Sequence, residues 1–195
     1  MDKDRILAFS DGVIAIIITI TVLELKTPSG ADLRALSQDW PVLVSYVLSF
    51  TYVGIYWNNH HHLFAACNLI NASIMWANLH LLFWLSLIPF VTDWMGGNNF
   101  APLPTALYGS VLLMGALAYK ILQGRILAIE PPGSPLRSEL GPDLKGALSP
   151  LVYLLGIGLA FYLPWIAFGL YVLVALAWLV PDRRIERALS RSDPR

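Results

Sequence analysis

Charge is scarce in this sequence. Only 13% of its 195 residues are Asp, Glu, Lys or Arg, about half the share usual in a soluble domain. The 13 basic and 13 acidic residues cancel, which excludes a nucleic-acid partner held by a basic surface. There is one cysteine, Cys67, so no intrachain disulfide framework exists, and a lone thiol reads as core filler rather than as a nucleophile. No nucleophile–base pair, zinc signature or nucleotide-binding motif is present. The "GIG" of Gly156–Gly158 lacks the preceding strand and following lysine that a phosphate loop needs. The chain therefore reads as a non-enzyme without metal or cofactor.

Apolar residues are plentiful instead. They make up 56% of the chain, with seven Trp and eight Tyr, and the mean hydropathy is +0.61. The bilayer is the expected solvent, and the aromatic rings suit its interfaces. The N-terminus has a charged start and an apolar run, but Asp2, Asp4 and Asp11 do not suit a targeting segment, and no small-residue cleavage site follows Leu25. It reads as a retained membrane helix.

A crossing needs about 20 mostly apolar residues. On that rule residues 1–195 read as one all-α, six-helix transmembrane domain, with helices at about 6–25, 41–64, 69–92, 105–129, 147–162 and 165–180 and a tail over 181–195. The last two are expected from the long apolar stretch Ala147–Val180, divided by a turn at Pro164. The loop "EPPGSPLRSELGPD" has no apolar period, and the tail "DRRIERALSRSDPR" is expected to form a brief surface helix or fray. With both termini cytoplasmic, eleven of the thirteen Lys and Arg lie inside, leaving Lys26 and Arg34 outside. That asymmetry is the positive-inside pattern, and it requires an even number of spans. The location implied is a multi-pass cell-membrane protein.

Polar residues inside the apolar runs need a reason, since an acidic group costs about 2.5–3.5 kcal/mol at a helix centre and less near its end. Asp11 is either an interfacial cap or part of an intramembrane site. At about 100° per residue, Ile16, Thr19, Ile20 and Leu23 share one face, and Asp11 points about 140° from Ile16. One helix thus carries an apolar stripe with a single hydroxyl and a polar cluster aimed elsewhere. Thr21 lies off the stripe and is expected to bond its own backbone one turn back.

In "YWNNHHHLF", the adjacent His60, His61 and His62 are spread around a helix and cannot share one ion. His60 falls level with Asp11, and a buried His60 donating to Asp11 would satisfy both groups. Trp76 and Asn78, in the third run beside Asn71 and His80, can reach the same level. Gly109, Gly115, Gly156, Gly158 and Gly169 read as close-packing positions, and Pro89 as a kink.

These residues resemble a known family. "RILAFSD", from Arg5 through Phe9 and Ser10 to Asp11, resembles the R-x-x-x-F-S-D signature of the transmembrane protein 175 potassium channels, in their prokaryotic branch. "WNNHHHLF" and "WANLHLLFWLSLIPF" are similar to that family's second and third helices, and the second half of the chain matches in hydropathy and basic tail.

The resemblance implies a homotetramer in the bilayer, of bacterial inner-membrane type, with the first helix lining a central pore for monovalent cations, potassium foremost. It implies a constriction of apolar rings at Ile16, Ile20 and Leu23, with Thr19 between them, in place of a carbonyl filter, and modest potassium selectivity. It also implies that Arg5, Ser10 and Asp11 hold helices together with His60, Trp76 and Asn78 as further members. The rival readings are a proton-coupled small transporter using Asp11 and His60 as a relay, and a scaffold or metal enzyme at the histidine run.

Overall fold

The computed structural model describes residues 3–67, 69–131, 134, 136–137 and 144–179. The tail 181–195 and part of the Pro-rich loop lie outside them. Within them the chain is helical: α1 Lys3–Leu23, α2 Leu33–Gln38, α3 Trp40–Ala65, α4 Ala72–Ser86, α5 Ile88–Gly97, α6 Pro102–Ile129, α7 Leu144–Ala160 and α8 Pro164–Leu179.

Local chemistry sets the ends. Asp32 caps α2, its carboxylate accepting from the Ala35 N–H at 2.8 Å, and Asn71 caps α4, accepting from the Ile74 N–H at 3.0 Å. Pro41, Pro89, Pro102 and Pro164 fall in first helical turns, where the missing N–H is not needed. Pro89 is also why α4 and α5 are two helices. Its ring cannot donate to the carbonyl one turn back, and the ladder breaks at Leu87.

The expectation of six membrane-spanning helices is overturned. Among the described residues four spans are long and apolar enough to cross: Lys3–Leu23, Trp40–Ala65, Ala72–Gly97 and Pro102–Ile129. The apolar α7 and α8 have only 17 and 16 residues. At 1.5 Å per residue each is about 25 Å long, against roughly 30 Å of hydrocarbon. The two arms expected from Ala147–Val180, 147–162 and 165–180, were already about this short, so the error lay in counting them as spans against a crossing length of about 20 residues. The basic-residue asymmetry could not reveal this, because four and six are both even.

α6 is the central post, packed on α4, α5, α7 and α8, whereas α1 lies at the edge against α3, α4 and α5. Only 28% of the α1 span is buried, compared with 50% for Ala72–Gly97 and for α6. The core runs through Leu63, Phe64, Ile74, Leu81, Tyr108 and Tyr171, all fully buried. At the α5–α6 turn Asn99 and Phe100 adopt φ of 50° and 57°, costly for side chains of this size. Aromatic packing holds Phe100 there: its ring lies 4.5 Å from Trp165 and 4.6 Å from Phe168, and Trp40 stacks on Trp165 at 5.5 Å.

Three of the five glycines expected at close approaches are there. Gly109 and Gly156 sandwich the Tyr171 ring, and a Cβ on either would overlap it, while Gly115 faces the Tyr56 hydroxyl. Gly158 and Gly169 meet nothing within 4 Å. Gly109→Val is expected to lower stability by about 1–3 kcal/mol through overpacking, read as an earlier thermal transition in detergent. An unchanged transition would show that Tyr171 can vacate the gap.

Candidate functional site

α1 divides by face. Ile6, Ser10, Ile14, Ile17 and Thr21 are buried against its own bundle. The opposite side exposes Phe9 at 54%, Ile16 at 57%, Ile20 at 41% and Leu23 at 78%, with Thr19 exposed among them. The Thr19 hydroxyl donates to the Ile16 carbonyl at 2.9 Å, so its oxygen lone pairs remain free to face outward. Thr21 donates to the Ile17 carbonyl at 2.7 Å, the one-turn-back bond expected of it. A groove of about 460 Å³ runs between α1 and α5, lined by Ile16, Ile20 and Phe90, with Glu24 and Asp93 also on its walls.

The buried face carries a polar chain across three helices. His60 Nε2 lies 2.7 Å from Asn78 Oδ1, Asn78 Nδ2 donates to Ser10 Oγ at 2.9 Å, and Ser10 Oγ donates to the Ile6 carbonyl at 2.8 Å. Ser10 and His60 are wholly buried and Asn78 is 2% exposed. Donor direction fixes the tautomer. Since Ser10 spends its hydrogen on Ile6, Asn78 must donate to Ser10 through its amide, so its oxygen accepts from His60, whose Nε2 holds the proton. His60 Nδ1 is then left without a partner among the described residues.

The expected His60–Asp11 bond is not made. Asp11 Oδ1 instead accepts from Trp57 Nε1 at 3.0 Å. One residue beyond Ser10, Asp11 is rotated by about 100°, so it misses His60 and meets the side chain nearly one turn earlier on α3. Arg5, Phe9 and Trp76 are exposed, Trp76 at 73%. The structure brings Ser10, His60 and Asn78 together, ties Asp11 to α3 separately, and leaves those three outside. Two contributors were missed. Trp57 sits in the histidine segment, and its half-exposed indole N–H beside an apolar run was the available signal. Lys3 Nζ reaches the Ala65 and Cys67 carbonyls at 3.3 and 3.2 Å, placing a cation at the negative end of α3.

Asp11→Ala is expected to cost about 1 kcal/mol, one half-exposed bond between α1 and α3, seen as a small fall in melting temperature. A loss as large as that from breaking the buried chain would place Asp11 in a different environment. His61 stacks on Trp57 at 6.0 Å and His80 accepts from Trp84 at 2.9 Å. Among the described residues no His, Cys, Asp or Glu group could hold a metal ion. Burial pushes the Cys67 thiol above its ordinary range, and Cys67 donates to the Leu69 carbonyl at 3.0 Å, so it stays protonated and inert.

A chain of apolar helices with a hydrogen-bonded polar chain inside the bundle, and an apolar face turned away from it, is a multi-pass integral membrane protein. Known sequences narrow the class. The family described as "Endosomal/lysosomal potassium channel TMEM175" matches residues 5–89. A potassium channel of Chryseobacterium sp. (strain P1-3) is 52% identical over 192 residues, 98% of this chain and 100% of that one. One of Streptomyces collinus is 30% identical over 186 residues, 90% of each. The crystal structure of a lysosomal potassium-selective channel TMEM175 homolog from Chamaesiphon minutus superposes with a TM-score of 0.79 at 26% identity, covering 92% of this chain and 97% of that one. The chain belongs to the TMEM175 family, in its bacterial branch.

Proposed function

We propose that the chain is a potassium-permeable cation channel whose pore forms where the exposed faces of four α1 helices meet in a homotetramer. The observation that carries this reading is the stripe of Ile16, Thr19, Ile20 and Leu23, turned away from its own subunit on the least buried span. A helix facing only lipid has no use for Thr19 within that stripe. Around an axis, the same residues make apolar rings with a ring of hydroxyl oxygens between them.

An apolar constriction gates by dewetting. A cation that passes must shed water, and potassium sheds it more readily than sodium. Thr19 is placed to return part of the lost hydration, because its hydrogen is already committed to the backbone. With no cage of carbonyls, selectivity is modest.

The relay reading has little support. His60 ends on a side-chain amide, which does not pass protons at ordinary cost, and Asp11 ends on an indole, which only donates. Liposomes holding the purified protein under a potassium gradient test the proposal. Passive, uncoupled potassium flux is expected; absent flux, or flux strictly tied to a second solute, overturns it.

A further inference from the structure

The span Ala72–Gly97, formed by α4 and α5, carries an exposed seam that neither the pore stripe nor the polar chain uses. Trp76, Phe83 and Phe90 stand out from the bundle at 73%, 55% and 60% exposure, each seven residues from the next. Between Trp76 and Phe90 the other exposed residues are Leu79 and Ser86, so the seam steps by three and four. A stripe limited to those positions is narrower than an ordinary amphipathic face. It is the seam by which two helices interlock over a shared length.

α1 has a face to match. Ala8, Ala15 and Val22 are exposed, again seven residues apart, and lie about 90° around the helix from the pore stripe. A Cβ on Gly12, on the same side, would meet nothing within 4 Å. This face offers hollows where the seam offers rings. The register between them is set within one subunit. Asn78 donates to Ser10 across 68 residues of sequence, which places those two residues at one height. The same offset of 68 pairs Trp76 with Ala8, Phe83 with Ala15 and Phe90 with Val22. Nearer the outer end the register still holds, since Ile20 and Phe90 line the α1–α5 groove together. Rotation about an axis normal to the membrane keeps every height, so residues level within a subunit are level between subunits.

We infer that the α4–α5 seam docks on α1 of the next copy of this chain, with Trp76, Phe83 and Phe90 seated at Ala8, Ala15 and Val22. The inference rests on the tetrameric reading above and names the surfaces that close the ring. The contact is head to tail, the kind that closes by rotation. The neighbour's α1 lies in the groove of about 460 Å³ between α1 and α5, which sets its pore stripe beside Ile16 and Ile20. Small residues let membrane helices approach closely. The exposed parts of the three rings amount to roughly 300–450 Å², about half of what one partner gives a stable interface.

The test is native mass spectrometry of the full chain in mild detergent, with circular dichroism as a check on each variant's fold. The unmodified chain is expected as a tetramer. Phe83→Ala removes a ring, and Ala15→Phe puts a second ring in its seat. Each should lower the tetramer-to-monomer ratio by about tenfold or more. Helicity should not change, because both positions are exposed in the subunit. The double variant Ala15→Phe, Phe83→Ala moves the ring across the contact and should restore the tetramer. Ala15→Phe with Phe90→Ala, one seat away, should not. Equal rescue by Phe90→Ala would overturn the inference. Tetramers indifferent to both single changes would do the same, leaving the seam to lipid and the tetramer standing. An unmodified chain that is monomeric at every concentration would overturn this inference and the tetrameric pore together.

Discussion

Ile16→Asn is expected to lower the potassium-over-sodium permeability ratio by about tenfold toward unity, equivalent to about 1.4 kcal/mol of lost discrimination. Ile16 is 57% exposed on the outward face of α1, so the exchange should leave folding of the subunit intact. A carboxamide at that ring binds water, keeps the constriction wet, and lets sodium pass without stripping its shell. Bi-ionic reversal potentials measured on the reconstituted channel read the ratio directly. Val22→Thr serves as control: Val22 is 42% exposed but lies off the stripe, and a threonine there can bond its own backbone as Thr21 does. An unchanged ratio in Ile16→Asn, or an equal fall in the control, would place discrimination elsewhere.

Asn78→Leu should be the most destabilising single change in the polar chain. It removes the bond to Ser10 and the bond to His60 together. Interhelical hydrogen bonds in membrane proteins average only about 0.6 kcal/mol, so the lost bonds themselves do not dominate. The larger effect is a wholly buried imidazole left with neither nitrogen satisfied, and each stranded buried group costs about 1–3 kcal/mol. A loss of about 2–4 kcal/mol is expected on that account, measured as thermal unfolding in detergent. The double variant Asn78→Leu, His60→Leu should recover much of it, because replacing both partners by apolar groups is nearly neutral. A double variant no more stable than the single one would show that the stranded histidine is not the cause.

The outward stripe of α1 was legible because helical period alone decides which residues share a face, and Ile16, Thr19, Ile20 and Leu23 did share one. The polar chain was legible only in membership. Ser10, His60 and Asn78 stood out as polar residues in apolar runs, but which acceptor each donor finds depends on the rotation and height of neighbouring helices. A rotation of one residue sends Asp11 to Trp57 instead of His60. Lys3 was invisible for the same reason, since its partners are backbone carbonyls at the far end of another helix.

Composition and periodicity by themselves determined an all-helical membrane chain and a first helix with two unlike faces, while the segment Arg5–Asp11 carried the resemblance to a channel family. The first two follow from transfer free energies and the 3.6-residue turn, which act locally along the chain. Tertiary structure decided the rest: that His60 answers to Asn78, and that Tyr171 threads between Gly109 and Gly156. Those outcomes depend on how closely helices approach and how they are rotated, and both are set by packing between distant segments.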